Sequence, residues 1–102
     1  MTGIIRGTTP SITYAFDTIA VADIAEAYIT IDYAGETIIE KDMSDSYTGD
    51  NALVWMFTQA ETLAFPIGNV AVQVNWKLNS GERGASFEQV IPVLDNLKDE
   101  VI

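Results

Sequence analysis

Asp42, Asp45, Asp50 and Asn51 gather around Gly49, and carboxylate and amide oxygens of this kind are the hard ligands that calcium takes. Their spacing does not follow an EF-hand loop, and no glutamate closes the set. The stretch therefore reads as a solvated polar loop and only a weak calcium candidate. Glycoside hydrolysis would need two carboxylates facing each other across a cleft. Fifteen acidic residues supply many chance pairs, and none is marked by its spacing. Ser80-Gly81-Glu82-Arg83-Gly84 lacks both the Lys-Ser/Thr of a phosphate loop and a following helix, so it reads as a hairpin tip. Tyr28, Tyr33 and Tyr47 are the aromatics that could stack on a sugar ring, although ordinary sheet packing is the favoured account of them.

The chain has no histidine and no cysteine. This removes the commonest general base, the thiol nucleophile, the thiolate metal site and any disulfide framework. No catalytic residue and no cofactor site is expected, and the chain is read as non-enzymatic. Fifteen Asp and Glu against five Lys and Arg give a formal charge of −10. Nucleic acid and an anionic membrane surface are poor partners for such a surface, because affinity for either begins with clustered cations. The first ten residues show no basic region followed by an apolar run, and no segment approaches the roughly 20 apolar residues that span a bilayer. The expectation is a soluble protein made in the cytoplasm, without a signal peptide.

The elements that would position these residues are strands. With 102 residues, 48% of them apolar, there is room for one domain with one core. Val70, Val72, Val74, Trp76 and Leu78 alternate with Asn69, Gln73, Asn75 and Lys77, the period-two pattern of a strand with one buried face. Ala85, Phe87, Ile91 and Val93 share one parity beyond the glycine turn, so the two runs predict a central hairpin. A two-residue loop at Ser80-Gly81, or a four-residue loop from Asn79 to Glu82, pairs Trp76 with Ala85, Val74 with Phe87 and Val70 with Ile91. A three-residue loop would set Val74 opposite Ser86 or Glu88 and expose an apolar row, and is rejected on that ground.

Earlier in the chain, Thr8 to Phe16 predicts an edge strand, broken by Pro10 where only an edge or a strand start tolerates it. Ile24 should plug the core, Ala27–Tyr33 and Thr37–Lys41 should form a hairpin about Ala34-Gly35-Glu36, and Met43–Asn51 reads as loop. Ala52–Phe57 carries apolar residues on both parities, as a strand does that is covered on both faces or lies centrally. Thr58-Gln59-Ala60-Glu61 matches a capping box, predicting a helical turn or two between 58 and 65. The whole reads as an all-β, two-layer immunoglobulin-like β-sandwich of six or seven strands over 1–93, with Trp55 and Trp76 as core anchors and a tail over 94–102. That tail is either a short frayed helix or extended. Leu94, Leu97 and Val101 are a candidate self-association stripe of a homo-oligomer, and a tail folded onto its own domain is the alternative.

Several phrases carry a resemblance: Gly7-Thr8-Thr9-Pro10-Ser11-Ile12, the Asp23–Ile31 passage, the run from Leu53 through Leu63 with Gly68 five residues on, and Trp76-Lys77-Leu78-Asn79-Ser80-Gly81-Glu82-Arg83. In that order they resemble small phage and prophage tail proteins, specifically the immunoglobulin-like N-terminal domain of the phage baseplate upper protein family, over roughly residues 3 to 93. The resemblance implies a virion structural part that docks other phage tail subunits and has no enzymatic activity. Members of that family usually continue into a further receptor-side region, whereas this sequence ends at Ile102. The expectation is thus a tail component of this type or a free-standing relative. A carbohydrate-binding or adhesin-like module, suggested by the tyrosines and the acidic loop, is the alternative.

Overall fold

The computed structural model describes residues 3–98 and 100–102. Period-two alternation is realised as strands β1 (Ile4–Ile5), β2 (Ser11–Ala15), β3 (Ile24–Tyr33), β4 (Glu36–Asp42), β5 (Ser46–Thr48), β6 (Ala52–Met56), β7 (Gly68–Leu78), β8 (Arg83–Ala85) and β9 (Gln89–Leu94), with one helix, α1 (Gln59–Leu63). They form an all-β sandwich of unequal layers. The six-stranded sheet runs β1-β9-β7-β3-β4 with β8 also on β7, and the three-stranded sheet runs β2-β6-β5. Ile29, Ile31, Val70, Val72, Val74, Ile91 and Val93 from the larger sheet meet Leu53 and Trp55 from the smaller, all of them buried. Ile24 is buried as expected, and β6 lies at the centre of its sheet. Trp76 is half-buried against Tyr14 and Phe16, with ring centroids 5.6 and 5.2 Å away.

The central hairpin forms, but not through either expected loop. Leu78 N–H donates to Glu82 C=O at 2.8 Å and Gly81 N–H to Leu78 C=O at 2.9 Å, which closes the three-residue loop Asn79–Gly81 that the sequence argument rejects. Trp76 therefore faces Gly84, and Asn75 faces Ala85. The reason is the indole. A Cβ built on Gly84 would lie 2.6 Å from Trp76 Cε2 and Nε1, so Trp76 lies across a residue that has no side chain, where the expected pairing would have placed a methyl group. The expected register then returns through one extra residue. Val74 sits opposite Ser86, whose N–H donates to Val74 C=O at 2.8 Å, while Val72 faces Gln89 and Val70 faces Ile91. Three steps from Ser86 to Gln89 match two from Val74 to Val72, so the arm bulges. Phe87, expected in the core, is 95% exposed on that bulge, and Ala85 is exposed too.

The second hairpin is the expected one, with Ala34 and Gly35 at φ 52° and 83°, the two positive values that a tight right-twisting turn demands. Met43–Asn51, expected as loop, contains β5, which pairs with β6 through Ser46↔Trp55 and Thr48↔Leu53. The first strand is shorter than expected, and Ile4–Ile5 instead run parallel to Val93–Leu94. The capping box is present: Glu61 N–H donates to Thr58 Oγ1 at 3.1 Å, and Thr58 N–H to Glu61 Oε1 at 2.7 Å. Among the described residues no helix is long and apolar enough to cross a membrane.

Candidate functional site

The four residues of the acidic stretch are not brought to one point: Asp42 and Asp45 share one use and Asn51 has another. Asp42 caps a single 3-10 turn over Met43–Asp45, accepting from Ser44 N–H at 2.9 Å and from the Ser44 hydroxyl, while Asp45 accepts from Asp42 N–H at 3.3 Å. The Ser44 hydroxyl and then the Ser44 amide hold the Asp42 carboxyl below its ordinary value. Asn51 turns away from both. Its Nδ2 donates to Phe16 C=O at 2.8 Å and to Ile19 C=O at 3.0 Å, and its Oδ1 accepts from Val21 N–H at 3.0 Å, from a backbone at φ 49°. Asp50 is exposed. Among the described residues no three acidic side chains are placed to hold a metal ion.

The tyrosines do not share a face. Tyr28 points outward from β3, Tyr33 lies against Gly68, where a Cβ would meet its ring at 3.3 Å, and Tyr47 projects from β5 in the other sheet. The tail residues are equally dispersed. Leu94 ends β9 beside Ile5, Leu97 is fully exposed, and Val101 borders an open surface depression that Met56 and Phe57 also line. The described residues after Leu94 form neither helix nor strand; Asp99 lies outside the described residues.

Strand register creates two features instead. The first is a cleft of about 260 Å³ lined by Glu26, Tyr28, Trp76, Lys77, Arg83 and Gly84. Lys77 is the register partner of both Glu26 and Arg83, so two of the chain's five cations stand side by side. The others are engaged, Arg6 with Asp95 at 3.2 Å, Lys41 with Glu61 at 2.9 Å and Lys98 with Glu100 at 3.1 Å, whereas Lys77 and Arg83 form no ion pair with a described residue. Only the spacing 77–83 about the turn carried a signal for this pair, and it requires the three-residue loop.

The second is the outer face of the larger sheet, which is split in two. Toward β4 it carries Glu26, Thr30, Asp32 and Glu40, with Thr30 Oγ1 donating to Glu40 at 3.3 Å and Thr37 Oγ1 to Asp32 at 2.8 Å. Toward β1 it is apolar. Ile5 (46% exposed) faces Leu94 (50%), and Val90 (66%) faces Ala71, with Pro92 between. Phe87 projects from the bulge that leads into this strand. Isolated exposed apolar residues are ordinary, but a contiguous row of them on one sheet face marks an interaction surface.

One end of the sandwich is tied off by polar contacts. Thr62, wholly buried, accepts from Gly7 N–H at 3.0 Å and donates to Thr8 C=O at 2.8 Å, and Arg6 reaches Leu63 C=O at 2.7 Å. These contacts fix β1, and with it Ile5, against the helix. The chain matches no protein-family model, no curated protein and no solved structure.

Proposed function

We propose that this chain is a non-enzymatic structural module of a phage or prophage tail, resembling a baseplate component, that works in the virion by docking on neighbouring tail subunits. The observation that carries the docking role is the apolar row Ile5, Val90 and Leu94 on the outer face of the larger sheet, a surface that burial against a partner would stabilise. The tail setting comes from the sequence resemblance over residues 3 to 93. Co-purification with each protein encoded in the neighbouring reading frames tests it. A stoichiometric complex that is lost in the double variant Val90→Glu, Leu94→Glu supports the reading. A chain that stays alone in every pairwise mixture overturns it.

A carbohydrate-binding or adhesin-like module is the second reading, favoured by the Tyr28–Trp76–Lys77–Arg83 cleft, which combines aromatic surface with fixed polar groups. Glycan-array binding that disappears in Tyr28→Ala would shift the assignment to it.

A further inference from the structure

The edge strand β2 reads Ser11-Ile12-Thr13-Tyr14-Ala15 and contains no charged residue, in a chain of formal charge −10. The other edges carry the devices that block unwanted strand pairing. β4 bears Glu36, Glu40, Lys41 and Asp42 and a register shift; β5 and β8 have three residues each, β8 with Arg83 among them, and β1 has two. β2 carries none of these.

Its free side is also well defined. Phe57 N–H donates to Pro10 C=O at 3.0 Å and Phe16 N–H to Asn51 C=O at 3.0 Å, so the even-numbered residues of β2 exchange hydrogen bonds with β6. By the alternation of an antiparallel ladder, the N–H and C=O groups of Ser11, Thr13 and Ala15 point the other way. No described residue pairs with them there. Alongside lies a narrow opening of about 50 Å³ between the layers, lined by Ile12, Tyr14, Val72, Val74, Ser86 and Gln89. A further strand laid beside β2 would close it.

We propose that this strand is a second copy of β2, antiparallel to the first across a two-fold axis through Thr13, joining the two smaller sheets into one. The sequence is self-complementary in that register. Thr13 exchanges both hydrogen bonds with Thr13 of the second copy, and Ser11 does so with Ala15. Ile12 then stands opposite Tyr14 at the closer, non-hydrogen-bonded spacing, a β-branched to aromatic pair on the core-facing side. Two acidic subunits meet at an uncharged seam, so screening by salt favours the pairing. The inference goes beyond the tail reading and stands without it: self-pairing is read on the chain alone, whereas docking through Val90 and Leu94 is read with a partner present.

Single-cysteine variants test it directly, because the chain has no cysteine of its own. In the proposed register the two Thr13 Cα atoms lie about 5.5 Å apart, within disulfide range. Two copies of Ser11 are offset by four residues, about 14 Å, and are out of reach. Under mild oxidation Thr13→Cys should give a covalent dimer and Ser11→Cys should not. Without oxidant, light scattering after size exclusion should show a dimer that strengthens with salt and is lost in Thr13→Pro, a change the isolated edge tolerates because that N–H serves no bond within the subunit. Thr13→Lys, which sets two ammonium groups opposite each other, should lose it as well and covers the case in which the proline variant does not fold. A monomer at every salt concentration, equal cross-linking at both positions, a dimer indifferent to both Thr13 variants, or β2 pairing only with a different protein would each overturn the proposal.

Discussion

Lys41 Nζ lies 2.9 Å from Glu61 Oε1 and 5.0 Å from the centre of the Phe57 ring, and it also donates to Met56 C=O at 3.0 Å. One ammonium group thus joins β4 of the larger sheet to the end of β6 and the first turn of α1. The same carboxylate oxygen closes the capping box through Thr58 N–H, so a single contact point holds both layers and the helix.

This pair sets a pH dependence. Burial pushes the Glu61 carboxyl up, but the Thr58 amide, the Lys41 hydrogen bond and charge, and the Thr58 hydroxyl pull it down by more, leaving it below the ordinary glutamate value of 4.5. A carboxylate depressed in the folded state contributes stability that is complete above its unfolded value and is lost as pH falls through the folded one. Glu61→Gln keeps a capping-box side chain but removes the charge. It should cost about 1 kcal/mol at pH 7, where Lys41 loses its charged partner. Urea denaturation of both proteins at pH 7 and at pH 2.5 checks this: the gap should close in acid. A gap of equal size at both pH values would mean that the charge contributes nothing.

Trp76 and Gly84 govern the hairpin. Gly84→Ala would place a methyl group 2.6 Å from the indole, in contact with ring atoms that Tyr14 and Phe16 already hold from the other layer. Overpacking of this kind costs about 1–3 kcal/mol. The variant should show a lower melting temperature and altered tryptophan emission, whereas Ala85→Gly, at an exposed position, should change the melting temperature far less. Equal effects at 84 and 85 would return the hairpin to the register in which Trp76 faces Ala85.

The strands that were legible in the sequence are those whose alternation is long or whose turn is explicit. Ala27 to Tyr33 with the Ala34-Gly35 turn, and Val70 to Val74, state their inner face residue by residue. The returning arm was not legible, because its parity reads correctly at Ile91 and Val93 and misleads at Ala85 and Phe87. A bulge leaves no mark in a hydrophobic pattern except the slip it causes, and here the cause is a pairwise fit between Trp76 and Gly84 across strands. β5 was hidden for a related reason: Ser46, Tyr47 and Thr48 are a short run set among the turn-forming Ser44, Asp45, Gly49 and Asp50, and pairing with β6 makes them a strand. The apolar outer row suffers the same limit, since Val90 and Leu94 lie on β9 whereas Ile5 comes from the other end of the chain and joins them only through β1-β9 pairing.

Thr62 is a buried hydroxyl that shares its proton between Thr8 C=O and Gln59 C=O, and its partners Gly7 and Thr8 belong to the first strand connection. Thr62→Val keeps the shape and leaves Gly7 N–H and Thr8 C=O without it. Stranding such groups costs about 1–3 kcal/mol. Because the contact ties residues 7 and 8 to α1, the loss should be local as well as global, with the Gly7 amide exchanging faster with solvent than the amides of β7. Unchanged protection of Gly7 would show that Arg6 and Gln59, which also bind this segment, suffice without the hydroxyl.

Asn51 is where two uses of the same side chain can be separated. As a calcium ligand it would need Asp42 and Asp45 beside it, yet those carboxylates cap a 3-10 turn while its own amide holds Phe16, Ile19 and Val21 in the loop that leads to β3. Asn51→Ala removes all three bonds and places an alanine at φ 49°, so it should destabilise by about 2 kcal/mol or more; Asn51→Gly should recover part of this by relieving the backbone. Millimolar calcium should leave the melting temperature of the unsubstituted chain unchanged, because a cation would have to displace the Ser44 contacts of Asp42 before binding. A calcium-dependent rise that vanishes in Asp42→Asn would overturn this, since a ligand that binds only the folded chain must raise its stability by mass action.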